Sequence, residues 1–473
     1  MSPNTLSRRG LFKGGSVLAI TAALPLPLVS RTAQAQTTRS TLLPDAEALL
    51  ASLERAFTFQ NLMMDAYATG SVVRLTQSYS DQALGATAFT YDNAVAIHAY
   101  LARANSGDLE RAEVLGSGLL YAQAHNFPFN DGRFAQAYFV NTRNADGAFI
   151  TPAAAPFYFY GSTVGDQAWA GMAFAQLYAR TADRRYLSGA LAVANWIVAN
   201  TYSAKGAGGF SFGTKINPLN QSVPSGNGKS TEHNIDAYSL FRMLHKLTEG
   251  GYASSGMSWS ALAQHALTFV LSAFNAAGPF FYTGTLPDQV TINPSPIPED
   301  CQTWSYMATL QNRYRRTIDW ALAHLETTDT AASPHTSLTG SETIHGLVFD
   351  TASLTTTADD PHAVWLEGTA HAAAALAARV LRGGDTLPAL ISDITTAISL
   401  LAQCALAQRL LGAGQTVAGH PIRTGLGLVA ATGVLDTGFG YTYGPSLHIG
   451  ATGWYILAGL AANPFQLGYR VID

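Results

Sequence analysis

Hydrophobic residues recur at helical spacing along almost the whole chain after Leu43. Apolar side chains at i, i+3, i+4 and i+7 form one face of an α-helix. The pattern predicts an all-α chain of twelve helical segments, at residues 45–67, 89–105, 108–125, 165–181, 183–202, 231–249, 256–275, 301–311, 313–326, 362–381, 386–411 and 446–461.

Most of these segments come as pairs in which the second follows closely on the first. The segments at 89–105 and 108–125, for example, are joined by a short Asn-Ser-Gly link. Links of this length predict antiparallel neighbours. Long irregular segments at 126–164, 203–230, 276–300 and 327–361 separate the pairs, and such loops are commonly functional.

A polar start is repeated at the first helix of each pair. The starts read TYDNA, VGDQAW, TEHNID, EDCQTW, WLEGTA and LHIGATGW, and their marker residues are Asp92, Asp166, Glu232, Asp300, Glu367 and His448. The markers are separated by 74, 66, 68, 67 and 81 residues. This spacing indicates a repeat of six helical hairpins. Six such hairpins are expected to close into a ring whose parallel inner helices direct their N-termini at one mouth.

Composition limits the possible partners. Apolar residues make up 48% of the 473-residue chain, charged residues 12%, and the net charge is −4. A chain without a basic excess is not expected to bind nucleic acid through phosphates. Cys301 and Cys404 cannot build a disulfide framework or a zinc site by themselves. One bridge between them and two buried free thiols are both open.

The N-terminus resembles a twin-arginine export signal. Arg8 and Arg9 precede a moderately apolar stretch broken by two prolines, and Ala-Gln-Ala at 33–35 is a plausible cleavage site. The alternative is a membrane anchor, which the short, proline-broken stretch disfavours. No later stretch is expected to span a membrane. We therefore expect a signal peptide at residues 1–35, cleaved near Ala35, and a single catalytic domain at residues 36–473 in the periplasm or outside the cell.

The repeated starts resemble those of the (α/α)6-barrel, or six-hairpin, glycosidases. The resemblance rests on YDNA at 91–94, GDQAW at 165–169, STEHNID at 230–236, VWLEGTA at 364–370 and HIGATGWYILA from His448 onward. It implies a toroid of six hairpins and a carbohydrate ligand. It also implies cleavage of a glycosidic bond, usually with inversion, although lyases, phosphorylases and epimerases share this toroid.

Glycoside hydrolysis needs one protonated carboxyl and one carboxylate. Glu232 is the predicted general acid; the alternative is a capping-box acid after Ser230 or Thr231. Asp92 is the predicted base; the alternative is an N-cap. Asp166, Asp300 and Glu367 are substitutes for the base or binders of sugar hydroxyls.

Further residues at the same starts are predicted to bind substrate. Aromatic faces suit the C–H faces of sugar rings, and polar side chains suit the hydroxyls. For any single tryptophan, core packing is the alternative. The set comprises Tyr91, Gln167, Trp169, His233, Asn234, Asp236, Asp300, Gln302, Trp304, Trp365, Tyr441, Tyr443 and His448.

The sequence shows no metal-binding spacing of histidines and no phosphate-binding loop, because Gly-Lys-Ser-Thr at 228–231 lacks the upstream glycine and the strand. We expect no cofactor and no metal. The expected protein is a monomeric, exported glycoside hydrolase for a neutral poly- or oligosaccharide. The alternatives are a lyase or epimerase on the same toroid, or a non-catalytic carbohydrate-binding protein of the envelope. A lyase would require basic residues, which the acidic mouth lacks.

Overall fold

The structure is a computed structural model that describes residues 33–68, 73–126, 128–142, 144–145, 147–151, 161–217, 219 and 221–469, with side chains from Glu47 onward. The predicted twin-arginine motif lies outside the described residues, as do the aromatic residues at 157–160. The predicted cleavage site at 33–35 falls at the start of the first helix.

Twelve α-helices lie within the described residues, as the periodicity predicted. They are α1 (Ala33–Asp65), α2 (Thr90–Arg103), α3 (Ser106–Ala124), α4 (Val164–Thr181), α5 (Arg184–Thr201), α6 (Thr231–Leu247), α7 (Trp259–Ser272), α8 (Asp300–Thr309), α9 (Arg316–His324), α10 (Leu366–Arg382), α11 (Leu387–Leu410) and α12 (Ile449–Gly459). The largest difference from the prediction is α1, which begins at Ala33 rather than near residue 45.

The even-numbered helices α2 to α12 form an inner set. Each packs against the next, from α2 through α4, α6, α8 and α10 to α12, and α12 packs against α2. Each inner helix also packs most extensively against one outer helix: α3, α5, α7, α9, α11 and α1, respectively. An inner helix is therefore covered on all sides. In α10 every residue from Leu366 to Arg379 is buried, as expected for a helix without a solvent face.

The prediction of an all-α chain missed short strands in the loops before the inner helices. They are β1 (Thr87–Phe89), β2 (Ala137–Phe139), β3 (Gly161–Thr163), β4 (Gly213–Ile216), β5 (Ser222–Pro224), β6 (Phe274–Asn275), β7 (Phe280–Phe281), β8 (Gly284–Thr285), β9 (Ile292–Asn293), β10 (Glu326–Asp329), β11 (Ile344–Leu347), β12 (Thr416–Val417), β13 (His420–Pro421), β14 (Leu435–Asp436) and β15 (Thr442–Tyr443). They pair antiparallel, mostly two by two. Two to four residues are too few for a periodicity of two to be visible in sequence.

Outer helix α11 is long and apolar enough to meet the length and hydropathy criteria for a membrane span, with a mean hydropathy of 1.6 over its best window. This differs from the expectation that no later stretch would do so. The helix packs against α10, α1 and α12, and 39% of that window is buried. Length and composition alone are weak grounds for a span, since helices packed within a fold meet the same criteria.

Both cysteines are free and buried. Cys301 lies on α8 and Cys404 on α11. Of the two alternatives left open by the sequence, the structure therefore contains the two buried thiols.

Candidate active site

A cavity of about 480 Å³ opens at the N-terminal ends of the inner helices. Its volume is in the range of small-molecule binding sites. All six marker residues line it: Asp92, Asp166, Glu232, Asp300, Glu367 and His448. Residues separated by up to 356 positions in sequence are thus brought to one place, because each begins an inner helix.

Seven other residues predicted to bind substrate also line the cavity. These are Tyr91, Trp169, His233, Trp304, Trp365, Tyr441 and Tyr443. The three tryptophans are only 1–3% exposed, so they offer little surface to a ligand. Tyr441 and Tyr443 are more exposed and lie on the loop before α12, where a sugar can reach them.

Three predicted substrate-binding residues do not line the cavity. The side-chain amides of Gln167, Asn234 and Gln302 are buried and bonded to backbone. Asn234 accepts from Phe210 N at 2.7 Å and donates to Phe210 O at 3.0 Å. Gln167 and Gln302 make the same pair of bonds with one residue each, at 2.8–3.0 Å. Their amide groups are occupied within the fold, which corrects the expectation of sugar binding.

This contact recurs at all six hairpins. A polar side chain near the start of each inner helix bonds the backbone of the loop before it. The pairs are Asn93 with Thr76, Gln167 with Phe134, Asn234 with Phe210, Gln302 with Phe281, Thr369 with Leu347 and Thr452 with Leu428. These bonds hold each loop against the start of its helix, next to the marker residue that lines the cavity.

Asp236, the fourth predicted binder outside the cavity, is fully buried one turn after Glu232. Within the described part of the chain neither carboxyl oxygen has a hydrogen bond of normal geometry, although the nearby indole of Trp169 acts to lower the pKa of Asp236. Burial and the nearby Glu232 and Asp300 raise the pKa of Asp236 well above its usual range. A neutral, buried carboxyl group with no contact to the cavity is not placed to bind a sugar.

Capping of the inner helices leaves the key carboxylates free. Ser230 caps α6 by accepting from His233 N at 3.2 Å, so Glu232 is not the capping acid. Helix α2 has Phe89 at its N-cap without a side-chain bond, and Asp92 therefore is not a cap either. Asp166, by contrast, exchanges bonds with the capping residue Thr163, which gives it a structural function at the start of α4.

One side of the cavity favours an ionised carboxylate. Glu367 Oε1 accepts a bond of 2.5 Å from the Tyr91 hydroxyl and lies 3.7 Å from His371 Nε2. Its Oε2 is 3.6 Å from His448 Nδ1. Burial raises the pKa of Glu367, but His371, His448 and Tyr91 outweigh it, and the net pKa is lowered.

His448 links Glu367 to Asp92. Its Nδ1 accepts from Ala451 N at 3.2 Å, so the proton sits on Nε2, which lies 3.2 Å from Asp92 Oδ1. A Cβ built on Gly450 would be 2.8 Å from both Asp92 Oδ1 and Glu367 Oε2. Only glycine leaves room for these two acids at that position. The Nε2–H group of His448 faces Asp92. It is therefore less available to donate to a sugar hydroxyl, which was the function expected for His448.

The other side favours a protonated carboxyl. Glu232 is partly exposed, and burial together with Asp300, Asp166 and Glu367 raises its pKa well above the usual range. Burial likewise raises the pKa of Asp166 to about 7 and raises that of Asp300. Carboxyl groups crowded in one cavity cannot all ionise. The cavity therefore favours the protonated form of Glu232 and the ionised form of Glu367.

Sequence reasoning missed two residues at the base of the cavity. Glu299 immediately precedes the predicted Asp300, and His371 lies one turn after Glu367. Both are fully buried and joined by a contact of 3.0 Å from His371 Nδ1 to Glu299 Oε2. An acidic residue next to a marker and a histidine at i+4 were visible in the sequence, but nothing there showed that they meet. In the described residues, no group of three potential ligands is arranged to hold a metal ion.

Solved structures with a similar fold include carbohydrate-active enzymes. A glycosidase carrying a Glu-to-Ala substitution, in complex with glucose, gives a TM-score of 0.53 at 11% identity, covering 89% of this chain and 99% of that chain. A cellobiose 2-epimerase from Bacillus thermoamylovorans gives 0.53 at 9% identity, covering 81% and 92%. A family 76 glycoside hydrolase from a bovine Bacteroides thetaiotaomicron strain gives 0.51 at 12% identity, covering 88% and 77%.

The chain shares its fold with these glycosidases and this epimerase. Its sequence matches no family model and no curated protein. At 9–12% identity the likeness extends to the fold alone, and the chemistry has to be inferred from the cavity.

Proposed function

We propose that the protein is a glycoside hydrolase in which Glu232 is the general acid and Glu367 the general base. One observation carries the proposal, namely the different surroundings of two carboxyl groups in one cavity. Glu367 accepts a hydrogen bond from Tyr91 and lies beside His371, which lowers its pKa, whereas burial among other acids raises the pKa of Glu232. Such a division provides an acid and a base from one residue type. Glu367 replaces Asp92, the base favoured on sequence grounds, because the contacts around Glu367 account for its ionisation.

The roles follow from the two protonation states. Glu232 donates its proton to the glycosidic oxygen as the bond to the anomeric carbon breaks. Glu367 accepts a proton from the water molecule that attacks the same carbon. The products are two sugars with free hydroxyl groups, and the two carboxyl groups exchange their protonation states before the next cycle.

Inversion is the proposed stereochemical outcome. Glu232 begins α6 and Glu367 begins α10, and α8 lies between these helices in the inner ring. Neighbouring helix axes are roughly 8–10 Å apart, so acids on next-but-one helices face each other with a gap. Inverting enzymes need about 6.5–9.5 Å between the carboxyls to leave room for water.

A neutral glycan is the proposed substrate. Among the described residues that line the cavity, Lys229 is the one lysine or arginine. Its Nζ donates to the carbonyls of Lys205 and Gly208 at 2.6 and 2.7 Å. A uronate would meet several carboxyl groups and no available lysine or arginine, which also disfavours lyase chemistry. The glucose complex of the structurally similar glycosidase is consistent with a neutral sugar.

The remaining parts of the proposal concern the whole molecule. The packing of α12 against α2 supports closure of the six hairpins into one (α/α)6 barrel, with residues 36–473 as a single monomeric domain. Arg8, Arg9 and the small residues at 33–35 support twin-arginine export and cleavage. Replacing both arginines with lysine should leave a folded protein in the cytoplasm; normal export of that variant would contradict the pathway.

The decisive experiment is hydrolysis of a panel of neutral glycans, including β-glucans, arabinans and mannans. Released reducing ends identify the substrate, and proton NMR of the first product gives its anomeric configuration. Inversion supports the water-filled gap between Glu232 and Glu367. Retention would make Glu367 a nucleophile instead. Release from none of these glycans would count against the hydrolase.

Sugar epimerisation is the second candidate, and His448 favours it. A histidine with one unprotonated nitrogen, held between two carboxylates, is suited to moving a proton at a sugar carbon. One of the structurally similar proteins is a cellobiose 2-epimerase. Incubation of the enzyme with cellobiose in D2O distinguishes the two functions, because epimerisation incorporates deuterium into the sugar carbon and hydrolysis does not.

A further inference from the structure

His371 is enclosed between two buried carboxyl groups. Its Nδ1 lies 3.0 Å from Glu299 Oε2, and its Nε2 lies 3.7 Å from Glu367 Oε1. The side chains of Glu299 and His371 are inaccessible, and that of Glu367 is 3% exposed. Water cannot solvate two carboxylates that are buried so deeply, so their charge has to be balanced by a neighbouring group.

The placement of the two acids indicates the charge of the ring. A neutral imidazole has one N–H and can donate toward one carboxylate, whereas an imidazolium can donate toward both. A carboxyl oxygen faces each ring nitrogen of His371, at hydrogen-bond distance for Glu299 and at ion-pair distance for Glu367. This arrangement fits the imidazolium. Leaving either acid unpaired at this depth would be costly.

Three tryptophans surround the same ring. The centroids of Trp304, Trp365 and Trp454 lie 5.1, 5.2 and 4.3 Å from that of His371. The three contacts are T-shaped, with interplanar angles of 63°, 87° and 72°, and the apolar indoles exclude water from the imidazole. Together with the carboxyl groups, they form a closed environment for a positive charge.

We infer that Glu299 and His371 are a positioning pair, which holds a fixed positive charge beside Glu367 and so keeps this buried carboxylate ionised. The catalytic part of this inference rests on the proposed function of Glu367 as the base. Glu299 does not line the cavity and acts through His371, which supplies the charge.

Two other groups stabilise the ionised form of Glu367, but each is held differently. Tyr91 donates a neutral hydrogen bond. Asp92 and Glu367 raise the pKa of His448, which in turn lowers that of Glu367, but His448 Nδ1 accepts from Ala451 N and its Nε2 faces Asp92. The remaining titratable neighbours are acids, among them Asp300 on α8 and Glu232 on α6. His371 is thus the histidine that faces Glu367 with a ring nitrogen not occupied by backbone.

The pKa shifts agree with this geometry. Burial lowers the pKa of His371, but Glu299 and Glu367 outweigh it and raise the value to about 9. Burial raises the pKa of Glu299 to about 7, against the effect of His371. The pair is therefore predominantly ionic at about pH 8, midway between the two pKa values, and His371 stays charged at lower pH values.

The first test replaces the cation. His371→Gln keeps a polar side chain but removes the charge at every pH. Without it, the pKa of Glu367 should rise by about 1–3 units, and the acid limb of the kcat/KM profile should move upward by the same amount. A circular dichroism spectrum like that of the wild type establishes that the variant is folded. An unmoved acid limb in a folded variant overturns the inference.

The second test needs no activity. In full-length protein with isotope-labelled histidine, NMR titration should show the imidazole of His371 deprotonating near pH 9. Glu299→Gln preserves the shape and an acceptor for Nδ1–H, so only the charge is lost, and the pKa of His371 should fall by about 1–3 units. Asp329→Asn, which changes a buried acid outside the cavity, is the matched control and should leave the pKa of His371 unchanged.

The two tests separate the pair from the proposed reaction. If no glycan is cleaved, the proposed hydrolase function is wrong. The pKa of Glu367 can then be measured in His371→Gln by NMR titration of the isotope-labelled carboxyl group, without measuring a reaction rate. A higher pKa of Glu367 in that variant supports the positioning pair. An unchanged pKa of Glu367, or an unchanged pKa of His371 in Glu299→Gln, contradicts it.

Discussion

The hydroxyl of Tyr91 donates a 2.5 Å hydrogen bond to Glu367, across 276 positions of sequence. The same hydroxyl accepts a bond of 2.7 Å from the indole of Trp454. Burial and Glu367 raise the pKa of Tyr91 well above its usual range, so the phenol keeps its proton and remains a donor. Residues from three inner helices therefore fix the orientation of one carboxylate.

Tyr91→Phe should lower kcat/KM by about tenfold to a hundredfold, the scale of a lost hydrogen bond to a charged group. The acid limb of the pH profile should also move upward, because the bond stabilises the ionised form of Glu367. Tyr455→Phe on α12, whose hydroxyl bonds Ser52 instead, is the control and should retain full activity. Equal rates for wild type and Tyr91→Phe would show that this bond does not contribute to catalysis.

Glu232→Gln should reduce the rate by at least about a hundredfold, the usual contribution of a positioned acid. The rate of this variant should fall less with substrates whose leaving group needs no protonation, such as aryl glycosides. Glu110→Gln, at an exposed position of α3, should behave as wild type. A fully active Glu232→Gln enzyme would show that Glu232 is not the general acid, and Asp300 or Asp166 would become the candidate.

Asp236→Asn should stabilise the protein at high pH. The folded-state pKa of Asp236 lies above the unfolded value of about 3.9, so the folded state binds the extra proton. Stability is then unaffected below the unfolded pKa and falls as pH rises toward the folded pKa.

The variant should therefore match wild type near pH 4 and exceed it by more than about 1 kcal/mol at pH 8, measured by denaturant unfolding. Glu342→Gln, at an exposed position, should show no such dependence. A variant that is less stable than wild type at pH 8 would indicate that Asp236 is ionised and paired in the folded protein.

Asn234→Ala tests the bonds between inner helices and loops. The change leaves the buried N–H and C=O of Phe210 without partners, at a cost of about 1–3 kcal/mol. The loop before α6 should become more mobile, so hydrogen exchange there should increase and kcat/KM should fall. Asn200→Ala, at an exposed position of α5, loses one bond to Trp196 O and should cost less than about 0.5 kcal/mol. A similar loss in both variants would contradict a special function for Asn234.

Helical periodicity was sufficient to predict the twelve helices, because most of them are 14 residues or longer and leave a strong apolar pattern. The recurrence of acids such as Asp92 and Glu232 at about 70-residue intervals likewise predicted which residues meet, since helix starts in a six-hairpin array converge. The short strands were missed because two to four residues leave no pattern.

The sequence by itself determined the hairpin array and the acids at its mouth, because both depend on local spacing. Tertiary structure decided the direction of each side chain. Near the start of a helix, each residue turns by about 100°, so Glu232 enters the cavity while Asn234 binds a loop. It also decided which carboxyl group is ionised: Glu367 meets His371 and Tyr91, whereas Glu232 meets only other acids. Charge at a buried site depends on neighbours from several helices, and no single stretch of sequence contains them.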